Sequence, residues 1–291
     1  MINDVSVVIV TKNRVDFFRR AFNSVICQSY GVKEVVVVDD FSEHPFDANL
    51  LDFCTEKAKE KNISFNYSYN YKQMGGNFSR NLGAEQSTSK IIMFLDDDDF
   101  WEPNKVKNQV KYFDEGYEFI YTGKKFVNST SLSKVVRVSR ENNKEKNIWL
   151  GNYIGSTSGV ALTKDLFTSV GKFDEDLMSL QDFDLWVRCL NNTKAKWDEQ
   201  HNLIYTVHKS NNNQISSNVE KHLRSVEFLS KKYAKEISCL TIREQRHFQS
   251  RTYHLIARAY RRNKDIKFIK YYLKSLFLRP SLRTASLIFF Y

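Results

Sequence analysis

The stretch that most constrains this 291-residue chain is Ile91-Ile92-Met93-Phe94-Leu95-Asp96-Asp97-Asp98-Asp99-Phe100-Trp101-Glu102-Pro103, in which five apolar residues run straight into four carboxylates. A short continuous apolar run is the pattern of a strand buried on both faces, the usual state in a parallel sheet. Charges at the carboxyl end of such a strand stand where open α/β sheets bind ligands. In extended chain alternate side chains share a face, so Asp96 and Asp98 are expected to point together. Carboxylates placed this close repel unless a cation lies between them. A hard divalent ion, Mg²⁺ or Mn²⁺, prefers oxygen ligands and commonly also holds a substrate diphosphate. The competing reading is a solvated acidic turn that caps the helix starting near Asn104. The buried strand before it favours the ion site.

The flanking sequence repeats the theme. Residues 5–10 are strand-like, Asn13 reads as a helix cap with Asp16 three residues on, and Phe18, Phe22, Val25 and Ile26 share a helical face. Residues 34–38 form a second buried strand ending in Asp39-Asp40. A helix over 46–61, an alternating strand at Ile63, Phe65, Tyr67 and Tyr69, a break at Gly75-Gly76 and a helix over 77–85 lead to the acidic strand. This β-α-β-α-β order predicts a parallel sheet with helices on both faces and two Asp-tipped strands at one edge. Beyond Pro103 the pattern gives a helix to about Asp114 and strands at 119–122, 134–138 and 158–162. A polar loop over 139–146, a helix over 181–190 and a last strand over 202–207 follow. Everything after Val219 reads as helix.

Composition narrows the class. No run approaches the 18 or so apolar residues that span a bilayer, and the first residues lack the basic start of a signal peptide. Cys27, Cys54, Cys189 and Cys239 are scattered, which argues against a zinc site or a disulfide framework and suits a reducing compartment. The formal charge is +10, and residues 243–291 carry twelve Lys and Arg against Glu244 and Asp265, a net of +10. The body is therefore neutral and the tail basic, a face for an anionic partner or for solvent.

Six segments in order resemble the inverting glycosyltransferase family 2, with its nucleotide-binding GT-A fold, over roughly 5–216. They are Val5-Ser6-Val7-Val8-Ile9-Val10-Thr11-Lys12-Asn13-Arg14 and the "E-hydrophobic-V-D-D-x-S" pattern of 34–42. The third is Gly76-Asn77-Phe78-Ser79-Arg80-Asn81-Leu82-Gly83. The fourth is the "F-L-D-x-D-D-x-W-x-P" pattern of 94–103. Gly171-Lys172-Phe173-Asp174 and Gln181-Asp182-Phe183-Asp184-Leu185-Trp186 complete the set. The resemblance implies a Rossmann-like α/β domain with a mixed, mostly parallel sheet over 1–217 and a basic helical extension over 218–291. It implies a metal-dependent inverting transfer from a nucleotide sugar, most simply a UDP-sugar, to a glycan or lipid-linked glycan hydroxyl in cell-surface polysaccharide synthesis.

It also implies roles. Thr11, Asn13, Arg14 and Asp40 fall at the base-binding strand ends, and a carboxylate accepts a hydrogen bond from uracil N3–H. Asp40 is preferred to Asp39 for this. Arg80 meets the diphosphate or holds Asp side chains, and Asp96 and Asp97 reach the ribose or orient the ion. Asp98 is the metal position, His208 closes the metal site or binds phosphate once the donor arrives, and Asp99 caps the next helix. Asp182 falls on the catalytic base, which takes the acceptor hydroxyl's proton; the plain alternative there is an N-cap. Trp101, Trp149 and Trp186 offer sugar-stacking faces, with core packing expected for at least two of them. The implied setting is cytoplasmic, peripheral at an anionic inner membrane face, with no nucleic acid. The tail from Val219 ends in the apolar 287–291 and is expected to be dispensable for donor binding. It serves as an interfacial segment or as a helical pair joining a second copy. Three departures, Val10, Lys12 and Gln181, stand where the family often has Pro, Tyr and Glu. Lys12 weakens base stacking, Gln181 lowers the pKa of the neighbouring base, and together they leave a non-catalytic nucleotide-sugar-binding homologue as the alternative.

Overall fold

The computed structural model describes residues 4–140, 146–208 and 219–289. The end of the resemblance at Ser216, the division at 217, part of the loop over 139–146, and residues 290–291 lie outside them. The chain forms two compact units: Met1–Asn143 with Ile154–Glu175 and Leu185–His208, and Lys144–Tyr153 with Asp176–Asp184 and Lys209–Tyr291. The linear division at 217 thus misses two short segments that belong with the tail.

In the first unit the order begins β1 (Val5–Thr11), α1 (Val15–Ile26), β2 (Glu34–Asp39), α2 (Ala48–Glu60), β3 (Ser64–Tyr69), α3 (Gly76–Gln86) and β4 (Ile91–Asp96). It continues with β5 (Phe100–Trp101), α4 (Lys105–Asp114), β6 (Phe119–Tyr121), β7 (Lys124–Asn128), β8 (Ser131–Val138), β9 (Val160–Thr163) and α5 (Lys164–Ser169). Helix α6 (Gln181–Leu190) crosses the boundary between units, and β10 (Ala195–Trp197) and β11 (Leu203–Val207) close the first. Seven strands make a sheet in the order β10-β6-β9-β4-β1-β2-β3, parallel except at β9. The parallel sheet expected from the element order is present in β3-β2-β1-β4, and the antiparallel β9 makes the whole the mixed, mostly parallel sheet that the resemblance implied. Its centre is β1, β2 and β4, Val- and Ile-rich strands buried except at Val10 and Asp96 and covered on one side by Phe18 and Phe22 of α1 and Leu50 and Cys54 of α2. The register sets Val10 beside Val38 and Asp96, so three strands end together.

Two buried details explain motif residues that are remote from any ligand edge. Glu34 opens β2 and accepts from Ser6 Oγ (2.5 Å) and from Thr88 N (2.5 Å), tying β1 to the turn after α3. A Cβ on Gly83 would lie 2.4 Å from Val8 Cγ1, so only glycine lets α3 rest on β1.

A second sheet, β5-β11-β7-β8, contains what the sequence pattern showed least well. The strand expected at 134–138 starts earlier and pairs with the unforeseen β7. Nearly every residue of β8 is exposed, so no apolar alternation marks it. Asn13 is not the cap of α1: Arg14 takes that position without a side-chain cap bond. Asn13 sits at φ 55° and its Oδ1 accepts from Glu43 N at 2.7 Å, joining the loops after β1 and β2. Asp99 does not cap α4 either. It is buried and accepts from Thr206 N at 3.1 Å, which anchors β11 beside β5.

The second unit contains α7 (Val219–Lys232), α8 (Ala234–Ser238), α9 (Ile242–Arg262), α10 (Phe268–Leu278) and α11 (Leu282–Ala285). Thr241 and Glu244 form a full capping box at the start of α9. Ser250 and Ser275 donate to each other's backbone carbonyls at 2.8 Å, which fixes α10 against α9. Trp149 lies edge-on to Phe183, Tyr233 and Phe248, so the segments outside the tail are built into its core.

Candidate active site

The carboxyl ends of β1, β2 and β4 gather most of the residues expected there. The strand ends at Asp96 and the chain turns, so Asp96 and Asp98 do not act as one extended pair. Asp96 instead pairs with Arg80 Nη2 at 2.6 Å. Asp97 and Asp98 share Arg14 Nη1 at 3.3 Å each, and Thr11 Oγ1 donates to Asp97 Oδ2 at 2.9 Å. His208 Nε2 meets Asp98 Oδ2 at 3.0 Å. Asp97 is 7% exposed and Asp98 24%, so Asp98 is the more open of the pair.

Arg80 is 11% exposed, so its pair with Asp96 is not a surface one. Its Nη1 is buried with no hydrogen-bond partner among the described residues, beside the bare Cα of Gly76. A buried unsatisfied donor is costly unless a ligand supplies the acceptor. Asp40 accepts from Asn70 Nδ2, Met74 N and Gly75 N, and so holds the loop that leads into α3. A carboxylate has about four lone-pair sites, so three donors leave one for a ligand. Asp39 is consumed by Ser42 N and Tyr67 Oη.

The electrostatics show a surplus of buried negative charge. Burial, then the Asp98 charge, pushes Asp97 up to about 7. Asp99 is raised well above the usual carboxylate range by burial and by Asp98 and Asp96. Burial alone would raise Asp98, but the His208 hydrogen bond and the Arg14 charge hold it below its ordinary value. Such a cluster favours a cation. Among the described residues no group of three or more His, Cys, Asp or Glu is set to hold a metal. The Asp98–His208 pair still fits one, because Mg²⁺-type ions keep waters and take one or two protein ligands plus substrate phosphates.

Arg20 escaped the sequence reading. Its Nη2 donates to the Asp98 carbonyl at 2.6 Å, and its guanidinium lies over the Phe17 and Phe100 rings at 5.3 and 4.9 Å. Arg14 at the cap of α1 and Phe17 and Arg20 within it recur every third residue, a row that could have been read as pointing at the acidic turn. Ser158 was also missed; its Oγ accepts from Asp96 N at 3.1 Å.

Asp182 lies in the second unit, in the first turn of α6 rather than at its cap. Asn152 Nδ2 donates to its Oδ2 at 3.1 Å and Phe183 N to its Oδ1 at 2.7 Å. These two donors keep the carboxyl group oriented. Asp184 is fully buried and is held by Tyr233 Oη and Lys232 Nζ at 2.7 Å each. Trp101 and Trp186 are core residues, 3% and 0% exposed, so neither offers a sugar-stacking face.

The sequence profile described as Glycosyl transferase family 2 matches residues 6–163. An uncharacterized glycosyltransferase of Haemophilus influenzae is 25% identical over 265 residues, 86% of this chain and 88% of that one. S. aureus TarS 1–349, solved in complex with UDP-GlcNAc, has a TM-score of 0.58 at 18% identity, over 97% of this chain and 90% of that one. A mannosyltransferase of Pyrobaculum calidifontis, solved with GDP-Man and Mn²⁺, has a TM-score of 0.56 at 13% identity, over 98% and 78%. At these identities the two structures share the fold.

Proposed function

This chain belongs to glycosyl transferase family 2, and from that premise we propose that it moves a sugar from a UDP-sugar to a glycan hydroxyl with inversion. The observation that carries the reading is the carboxylate turn Asp96–Asp99 at the end of β4, closed by Arg14, Arg80 and His208. The chemistry there suits a nucleoside diphosphate. Arg80 Nη1 is a buried donor awaiting an acceptor. Asp40, with one lone-pair site remaining, takes the uracil N3–H. Phe41 is 44% exposed at φ 66° just beyond β2 and offers the base a ring face that Lys12 does not. Thr11, Asn13 and Arg14 shape the floor, Asn13 by pinning the two loops and Arg14 by holding Asp97 and Asp98.

Asp98 and His208 would hold Mn²⁺ or Mg²⁺. The ion, when bound, neutralises the charge that develops on the departing diphosphate. Asp97 and Asp96 set the position of Asp98 and Arg80. Asp182 is the base: an ionised carboxylate with fixed orientation removes the acceptor proton. Its neighbour Gln181 adds no like charge.

The test is direct. With a UDP-sugar, Mn²⁺ and an accepting glycan, free UDP should appear, and NMR should show a β-linked product from an α-linked donor. Asp182→Asn should keep UDP binding and lose transfer by about 10²–10⁴-fold, the scale of general-base removal. Retention of the α anomer would remove inversion and with it the role of Asp182.

We place the acceptor in cell-surface polysaccharide synthesis, at an anionic membrane face. Among the described residues no helix is long and apolar enough to cross a membrane. Ile266, Ile269, Leu273 and Phe277 are exposed at helical spacing, with Lys267, Lys270 and Lys274 between them. Such a row suits interfacial seating and equally a second copy of the chain. Flotation with anionic vesicles at low salt separates the two.

A further inference from the structure

The second unit carries a cluster of positive charge that the donor chemistry does not use. His247, Arg251, His254 and Arg258 recur along α9 at spacings of four, three and four, which places them on one face. Arg279, at the end of α10, contacts His247 Nε2 through Nη1. Arg283 of α11 adds its charge, and His254 Nδ1 is bonded to Thr284 Oγ1 at 3.1 Å. Among the described residues no carboxylate pairs with Arg251 or Arg279. Glu244, one turn before His247, is engaged by Thr241 and Asn147.

The cluster stands next to Asp182. The Arg251 guanidinium lies against Gly151, 3.0 Å from where a Cβ would be. The next residue, Asn152, donates to Asp182 Oδ2 at 3.1 Å. Glycine at 151 therefore lets a guanidinium reach the backbone beside the residue that orients the base.

We propose that Arg251, Arg279, Arg283 and His247 form a binding site for a phosphate or diphosphate group carried by the acceptor. This rests on Asp182 being the acceptor's base and adds the acceptor's chemical class. Planar guanidinium forks match phosphate oxygens in pairs. Arg251 and Arg279 are two charges with no carboxylate partner among the described residues; one sugar carboxylate would balance only one of them, whereas a phosphate diester chain or a diphosphate balances both. The ground state is poised for an anion. Burial and the charges of Arg283 and Arg279 push the Arg251 guanidinium down to about 10. Like charges held this close cost free energy until an anion enters.

The experiment measures binding apart from catalysis. The full chain is titrated with inorganic pyrophosphate in chelator, where the donor site has no ion, and followed by isothermal calorimetry. Saturable binding is expected, weakened about 10-fold or more by Arg251→Gln, the scale of a lost charge-assisted hydrogen bond. The exposed Arg279→Gln should weaken it similarly and guards against a fold defect in the first variant. Asp182→Asn should bind pyrophosphate like the native chain, so a failed base assignment shows as an active Asp182→Asn and leaves this binding untouched. Pyrophosphate binding that is absent, or as tight in both arginine variants as in the native chain, overturns the site. In transfer assays pyrophosphate should compete with a soluble phosphate-bearing glycan if the acceptor carries phosphate in its backbone. It should compete with a polyprenyl-diphosphate glycan if the phosphate comes from the lipid link. Competition with neither overturns the proposal.

Discussion

Asp98 is the residue on which the proposed donor site turns, because His208 and Arg14 contact it and the buried carboxylates Asp97 and Asp99 flank it. A ligand that binds only the folded state stabilises it, by about 2.7 kcal/mol at a hundred times its dissociation constant. UDP should therefore raise the melting temperature more with Mn²⁺ than with chelator. Asp98→Asn should leave the two shifts equal; a metal-dependent shift that survives the substitution would move the ion elsewhere. His254 gives a second single-residue test. Burial, then Arg283, Arg258 and Arg251, holds its imidazole at about 4, against about 6.5 for a free one. The folded chain refuses a proton that the unfolded chain accepts. Its contribution is complete above about pH 6.5 and is lost as pH falls toward 4, by at most about 3 kcal/mol. His254→Gln cannot titrate, so its urea midpoint should fall less over that interval. Parallel loss in both chains would show that His254 contributes nothing.

Among elements, α3 is the one whose position the proposed donor site depends on. It carries Arg80, and one turn later Gly83 rests on Val8 and Val38. A methyl at 83 would stand 2.4 Å from Val8 Cγ1 and 3.3 Å from Val38 Cγ2, so the helix must lift from the sheet. Overpacking of this kind costs about 1–3 kcal/mol. Gly83→Ala should lower the urea midpoint accordingly and weaken UDP binding, since Arg80 moves away from Asp96. Val8→Ala in the same chain should recover part of both. No recovery would mean that α3 relaxes some other way.

For the molecule as a whole, the tail is more than a basic appendage. It supplies Phe248 to the Trp149 cluster, Glu244 to Asn147 and Arg251 to Gly151. All three bear on the segment whose Asn152 orients Asp182. A chain ending at Ser238 loses each of them and keeps the whole of the first unit. It should still bind UDP with Mn²⁺ and should lose transfer even to a soluble acceptor. Full transfer by the shortened chain would show that the loop over 147–152 needs no such support. This differs from a tail that only anchors, where soluble acceptors would be spared.

What the sequence by itself determined is local and periodic. The apolar runs of β1, β2 and β4 name themselves because each is buried on both faces. Asp-tipped strands at one edge follow from parallel order, and the motif spacing carries the family. What only the tertiary structure decided lies where partners are distant in sequence. The pairing of Asp98 with His208 spans 110 residues, and Asn152 meets Asp182 across 30. Asn13 and Asp99 looked like caps because short polar side chains suit helix starts. Each instead bonds a backbone amide brought from another loop or strand. The exposed strand β8 has no apolar alternation to show, and its place depends on pairing with β7. Charge along the tail was visible as a sum. That its arginines crowd beside the Asp182 loop depends on helix packing, and no periodicity in one segment records which other segment it will meet.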